Sequence, residues 1–163
     1  MKNIVIDLTY ANKGQEEALE RFKSNNSINI KDEMLNVPMA LILALQSGLS
    51  KVLIESKLDM FWDKSEVDNK LLIKSLADFL GYMGDLANFL GVDLITEVQE
   101  IQLTAPEVIF NQMAYRITTL NWNKRHARNT LVNQMIPLLV ELTQSFKFSI
   151  EELEKTYKAR MYQ

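Results

Sequence analysis

Apolar residues recur at every third or fourth position over most of this chain, which is the spacing of amphipathic helices. The broadest stripe includes Leu35, Met39, Ile42 and Leu53, and its width is typical of a helix that packs in a core. The spacing, with the capping residues between the apolar runs, predicts seven helices with these approximate bounds: 14–23, 34–57, 66–90, 93–103, 106–120, 124–146 and 150–160.

Several predicted helix ends carry a recognisable capping residue. Ser65 and Ser149 each precede an acidic residue by three positions, as in a capping box, and Asp93 is placed to begin a helix. Gly91 is placed to end a helix in the left-handed conformation, and Pro137 predicts a bend within the sixth helix. Only Ile4-Val5-Ile6 has strand character. The predicted fold class is therefore all-α, a helical bundle of about seven helices.

Composition agrees with this helical pattern. The chain has 163 residues with only 5 Gly and 3 Pro, whereas all-β folds need frequent turns rich in these residues. A chain of this length predicts one domain, residues 1–163, which buries roughly 68–70% of its unfolded surface. Hydrophobic residues make up 47% of the chain, so disorder as the dominant state is not expected.

Charge and cysteine content narrow the function classes. The net charge of −3 has the wrong overall sign for a dedicated nucleic-acid binder. The absence of cysteine excludes disulfides, thiol nucleophiles and thiolate metal sites. The N-terminus lacks the features of a secretory signal, and the longest apolar run, 37–45, is short of the ~20 residues that span a bilayer. These features predict a soluble, cytoplasmic protein without a membrane segment.

Three stretches carry a resemblance to a known family: ALILALQSGL (40–49) followed by Phe61-Trp62, SLADFLGYMGDLANFLGVD (75–93), and FKFSIEELEKTYKAR (146–160). They resemble the all-α nucleoside triphosphate pyrophosphatases, meaning the dimeric dUTPases and their MazG-like relatives, over roughly half of the chain. The resemblance implies a helical bundle, a homodimer paired through helices, and a magnesium site built from Glu-x-x-Glu and Glu-x-x-Asp on two helices.

Most acidic positions of that pattern are lost here. The Glu-x-x-Glu motif falls on Gln46 and Leu49, and the Glu-x-x-Asp motif falls on Ser75 and Asp78. Only Asp78 survives as a catalytic and metal-binding candidate, and Gln46 could offer an amide oxygen. Arg160 falls near the family's phosphate-contacting lysine. A divalent ion held mainly by one carboxylate should bind weakly.

Other carboxylates could compensate for the missing glutamates. Glu55 and Asp59 are four residues apart on the predicted second helix, and Asp85 follows Asp78 by seven residues on the third. Each pair shares one helix face, so four carboxylates could converge if the helices face each other. The alternative is that Glu55, Asp59 and Asp85 are solvated surface charges.

Aromatic and basic residues provide two further candidates. Phe61 and Trp62 could stack on a nucleotide base or plug the end of a helical core. The segment 121–128 is the basic cluster of the chain, with Lys124, Arg125 and Arg128. Cations near a helix N-terminus oppose the helix dipole, so this cluster could bind phosphate, an acidic protein surface or nucleic acid, or it could be a solvated basic turn.

The sequence leaves two function classes open. The favoured hypothesis is a diverged dUTPase-like protein, weakly active or inactive, that acts by binding a nucleotide or a protein partner. The alternative is an active magnesium-dependent enzyme that cleaves dUTP or dCTP to the monophosphate and pyrophosphate, using Asp78 with Glu55, Asp59 or Asp85. Under the first hypothesis no cofactor is needed; under the second the cofactor is Mg²⁺.

Overall fold

A computed structural model describes residues 3–26, 37–120 and 123–161 of the chain. The strand β1 (Ile4–Asp7) is followed by the helices α1 (Thr9–Asn26), α2 (Val37–Ser56) and α3 (Asn69–Leu90). After the strand β2 (Ile95–Val98) come α4 (Pro106–Thr118), α5 (Lys124–Thr130), a π-helical turn (Leu131–Met135), α6 (Ile136–Ser145) and α7 (Ile150–Met161). The π-helical turn joins α5 and α6 without a break, so the described residues contain six continuous helices, and the all-α prediction is confirmed.

The helix α3 lies at the centre of the fold. It packs most extensively against α2, then against α1 and α7, and it also contacts α5 and α6. Its buried side chains form a wide apolar face, while Lys70, Lys74 and Asn88 are exposed. It begins at Asp68, whose carboxylate accepts hydrogen bonds from the Lys70 and Leu71 N–H groups, and it ends at Gly91 with φ of 67°.

The predicted helix over 93–103 is wrong. Residues Ile95–Val98 form a strand that pairs antiparallel with β1, with Ile4 opposite Val98 and Asp7 opposite Ile95. Three of these four residues are β-branched, which favours a strand. The decisive contact is the pairing with β1, which lies about 90 residues earlier in the chain. Thr96 is buried in this arrangement. This lost helix accounts for the difference between seven predicted and six described helices.

The other predicted boundaries differ by a few residues. The first helix begins at Thr9 rather than Gly14, because Leu8 and Ala11 are buried and continue its apolar pattern. Asp68 caps α3 instead of Ser65, which is bonded to Asp63. The predicted start of the second helix at Met34 lies outside the described residues, as do Asn121 and Trp122.

Two predicted features of the later helices are found. Ser149 and Glu152 form the capping box of α7, where the Glu152 N–H donates to Ser149 Oγ and the Ser149 N–H donates to Glu152 Oε1. A π-helical turn immediately precedes Pro137, in the region of the predicted bend. In this turn the Ile136 N–H donates to the Leu131 carbonyl, five residues back. Such a wider turn accommodates a proline ring that would otherwise clash with the preceding turn.

Two glycines permit close approaches of α1, to α3 at Gly84 and to α7 at Gly14. A Cβ atom at Gly84 would lie 2.8 Å from the Ala11 carbonyl oxygen, which belongs to the backbone of α1 and cannot move alone. A Cβ atom at Gly14 would lie 2.4 Å from the Tyr157 hydroxyl. Glycine costs about 1 kcal/mol relative to alanine inside a helix, and here it permits the contact between α1, α3 and α7.

We expect Gly84→Ala to lower the free energy of unfolding by about 1–2 kcal/mol. The strain of overpacking, about 1–3 kcal/mol, exceeds the gain in helix propensity. Urea unfolding followed by circular dichroism measures the change, with Lys74→Ala on the exposed side of the same helix as the control. The control should change stability by no more than about 0.5 kcal/mol. An unchanged or higher midpoint for Gly84→Ala would show that α1 and α3 are not in contact there.

Candidate functional site

The surviving acidic candidate, Asp78, is paired with Arg160. The Arg160 guanidinium donates two hydrogen bonds to the carboxylate of Asp78, from Nε to Oδ1 at 2.5 Å and from Nη2 to Oδ2 at 2.9 Å. Lys51 Nζ lies 4.0 Å from the same Oδ2. A bidentate guanidinium–carboxylate pair is both directional and strong for a partly buried site. Asp78 therefore faces two cations, and its negative charge is compensated within the protein.

The second acidic candidate on α3, Asp85, takes part in a hydrogen-bonded chain between helices. Gln15 Nε2 of α1 donates to Asp85 Oδ1 at 2.8 Å, and the Tyr157 hydroxyl of α7 donates to Gln15 Oε1 at 2.8 Å. Burial raises the pKa of Asp85, because the charged form loses hydration, and the hydrogen bond from Gln15 only partly opposes this shift. The sequence did not identify Gln15 or Tyr157 as candidates. Gly14, Gly81 and Gly84, which lie close to these two side chains, were the available signal of close helix packing.

Two positions at which the resemblance places glutamates are buried. Leu49 is part of the apolar core, and Ser75 is buried with its hydroxyl donating to the Leu72 carbonyl of its own helix at 2.6 Å. A glutamate at either position would lose its hydration without an evident partner. Gln46 is half-buried on α2. Leu49 and Ser75 therefore serve packing.

The predicted convergence of four carboxylates is not found. The helix α2 ends at Ser56, and Lys57 has a positive φ of 58°, so Asp59 lies beyond the helix and does not share a face with Glu55. Over the described ranges, no group of three or more acidic or histidine side chains lies close enough to hold one metal ion. Mg²⁺ takes oxygen ligands at about 2.0–2.1 Å, and the carboxylate of Asp78 is directed at a guanidinium. The donor set around Asp78 does not fit this ion.

A small cavity of about 180 Å³ adjoins the Asp78–Arg160 pair. Its lining includes Gln15, Tyr82, Tyr157 and Met161. Pockets that enclose a drug-sized ligand usually measure about 300–1,000 Å³. The arrangement is suited to linking α1, α3 and α7, and it offers little room for a nucleoside triphosphate.

The aromatic pair Phe61–Trp62 is on the surface. The exposed fraction is 91% for Phe61 and 67% for Trp62, and their rings meet edge to face at 5.0 Å. The interpretation as a plug of the core is therefore wrong. The tight turns after α2 direct the pair outward, since the Met60 N–H donates to the Lys57 carbonyl and the Asp63 N–H to the Met60 carbonyl. Stacking on a base stays a prediction.

The basic cluster is largely explained by the end of α3. Arg128 Nε donates to the Leu90 carbonyl oxygen at 2.6 Å, and Lys124 Nζ lies 6.0 Å from the centre of the Phe89 ring. Cations near a helix C-terminus are stabilised by its partial negative charge, so both side chains favour the dipole of α3. Lys124, in the first turn of α5, opposes the dipole of α5. Arg125 is exposed. Binding of nucleic acid through this cluster stays a prediction.

Substitution of Asp85 should change the pH dependence of stability. Its pKa is higher in the folded state than the ordinary value of about 3.9, so the charged carboxylate destabilises the fold at neutral pH. As the pH falls through the folded pKa, the folded state takes up the proton first and this cost is relieved. The amide introduced by Asp85→Asn would not titrate but could still accept a hydrogen bond from Gln15.

We therefore expect the free energy of unfolding of the native protein, relative to Asp85→Asn, to rise as the pH falls from 7 to about 4. Urea unfolding of both proteins at several pH values measures this difference. A difference that stays constant, or that falls with falling pH, would contradict a buried and desolvated Asp85.

Comparison with protein-family models, curated proteins and solved structures finds no match for this chain. The chemistry of the site is thus inferred from its own geometry. That geometry consists of one charge-compensated carboxylate, one partly buried carboxylate held by an amide, and apolar packing at the neighbouring positions.

Proposed function

We propose that this chain is a diverged, non-catalytic protein of the dimeric dUTPase type that acts by binding a protein partner. The observation that carries the proposal is the bidentate bond of Arg160 to Asp78, the one surviving acidic position of the resemblance. An arginine that neutralises this carboxylate competes directly with a cation. The burial of Leu49 and Ser75 supports the same proposal, because restoring glutamates there would require the core to open.

A protein partner is favoured over a nucleotide for two reasons. The cavity beside Asp78 is smaller than a typical ligand pocket. Large aromatic side chains are also exposed in the loop that follows α2, with Phe61 at 91% and Trp62 at 67%. These two rings resemble the apolar anchors of protein interfaces.

We also propose that the chain forms a homodimer through α2. The exposed stripe of this helix contains Met39, Leu43, Ser47, Ser50 and Ile54, at spacings of three and four residues. A two-fold interface must be self-complementary. If two copies of α2 pack antiparallel about their middle, Leu43 of each copy lies opposite Ser50 of the other, so a large side chain meets a small one.

The helix α2 is also long and apolar enough to be considered as a membrane span. By length and composition, the stretch Pro38–Ser56 could cross a membrane, and 28% of it is buried within the fold. The core helix of a soluble protein passes the same test. The contacts of α2 with α3 and α4 and the presence of Lys51 and Glu55 on the helix favour the packed, water-facing arrangement.

The catalytic part of the proposal is tested with dUTP, dCTP and other nucleoside triphosphates in the presence of Mg²⁺. We expect pyrophosphate release no faster than in a sample without protein, and no difference between the native protein and Asp78→Ala. The reason is that the one acidic candidate is held by Arg160 and belongs to no group of three or more acidic or histidine side chains within the described residues. Magnesium-dependent release that Asp78→Ala abolishes would favour the active enzyme instead.

The dimer is tested by Leu43→Lys. A charge placed on the stripe would be desolvated on association, so sedimentation velocity should show a shift from dimer to monomer. Leu103→Lys is the matched control, because Leu103 is as exposed, at 67%, but lies in the segment before α4. A native protein that sediments as a monomer, or a dimer that Leu43→Lys leaves intact, would exclude this interface.

A further inference from the structure

An open groove of about 380 Å³ runs along β1. All four strand residues, Ile4–Asp7, line it, whereas β2 contributes none of its residues. Side chains alternate between the two faces of a strand, so a groove against one face would be lined by every second residue. A groove lined by four consecutive residues follows the edge of the strand, and here it is the edge that β2 does not occupy.

The free edge of β1 offers backbone groups for pairing. The sheet has the order β1–β2, so β1 is paired on one side only within the described part of the chain. In an antiparallel pair, alternate residues direct their N–H and C=O groups away from the partner strand. Such an edge is a template for another extended segment, and main-chain hydrogen bonds then supply affinity while side-chain pockets supply specificity.

The walls of the groove indicate the chemistry of its occupant. Apolar side chains from Ile101, Val140 and Ile150 form one part of the lining, and the carboxylates of Asp7, Glu151 and Glu154 form another. Glu151 is exposed in the first turn of α7, and Glu154 pairs with Lys158 across one helical turn at 3.7 Å. A segment that presents both apolar and basic side chains would match these walls in polarity and in charge.

Tyr10 supplies an independent observation in the same groove. Its ring lines the groove, and its hydroxyl is the one buried side-chain polar atom without a hydrogen-bond partner among the described residues. A buried hydroxyl without a partner costs free energy, and such groups in native proteins call for an explanation. Burial is also the main reason that the pKa of Tyr10 is raised, so the hydroxyl keeps its proton and remains a donor.

We propose that this groove binds an extended peptide segment of a partner protein, with apolar residues alternating with Lys or Arg, which adds a strand to β1. The proposal deepens the binding role proposed above and rests on it. A second copy of β1 is a poorer occupant, because Ile4–Asp7 carries no basic residue and would bring Asp7 towards an acidic wall.

The test uses short, blocked, fluorescein-labelled peptides and the full chain. The first peptide alternates Lys with Val and Ile, the second has Glu in place of Lys, and the third has the first sequence with every second backbone nitrogen methylated. Fluorescence anisotropy measures affinity, and hydrogen exchange measures protection of the amides of β1. We expect the lysine peptide to bind and to slow exchange within residues 4–7, and both other peptides to bind at least tenfold more weakly.

Variants of the acidic wall complete the test. Glu151→Gln combined with Glu154→Gln should lower the affinity for the lysine peptide by at least about twofold, the effect expected from the loss of two exposed ion pairs. Glu16→Gln combined with Glu20→Gln on α1 is the control with the same change of charge. Equal binding of the glutamate or methylated peptide, or unchanged exchange in β1, would overturn the groove proposal. Such a result would not bear on the proposed absence of catalysis, which the measurement of pyrophosphate release tests separately.

Discussion

The structure depends on the packing of α3 against the surrounding helices α1, α2, α5, α6 and α7. A helix in this position can keep a polar or charged side chain only where another element supplies a partner. Asp78 is met by Arg160 of α7, and Asp85 is met by Gln15 of α1. The carbonyl of Leu90 at its C-terminus accepts from Arg128 of α5. These three contacts therefore tie the central helix to α7, α1 and α5.

This constraint explains why the acidic residues of α3 do not form an open site. An ion pair with a side chain exposed by about a third contributes modestly to stability, since solvent screens it. Its larger effect is on geometry, because a bidentate guanidinium fixes the end of α7 against α3. The small cavity beside the pair is a consequence of this closure, as Gln15 and Tyr157 occupy the neighbouring space between the helices.

The sequence predicted the parts of this structure that depend on local pattern. Helical spacing located six helices, Gly91 and the Ser149–Glu152 box marked two ends correctly, and the interest in Asp78 came from a local motif. The errors arose where distant contacts decide. Residues 95–98 are a strand because β1 pairs with them, and Asp78 is neutralised by a residue 82 positions away. The exposure of Phe61 and Trp62 likewise depends on turns whose direction no periodicity encodes.

The helix α2 shows how a correct pattern can still mislead. Its apolar stripe is broad, which predicted a helix that packs in a core, yet Met39, Leu43 and Ile54 are exposed. A helix of this composition is costly to leave open to water, because each exposed large apolar side chain forgoes about 1.5–3 kcal/mol of burial free energy. Its inner face is covered by α3 and α4 within the chain. The exposed side chains of the outer face would regain that free energy if another apolar surface covered them.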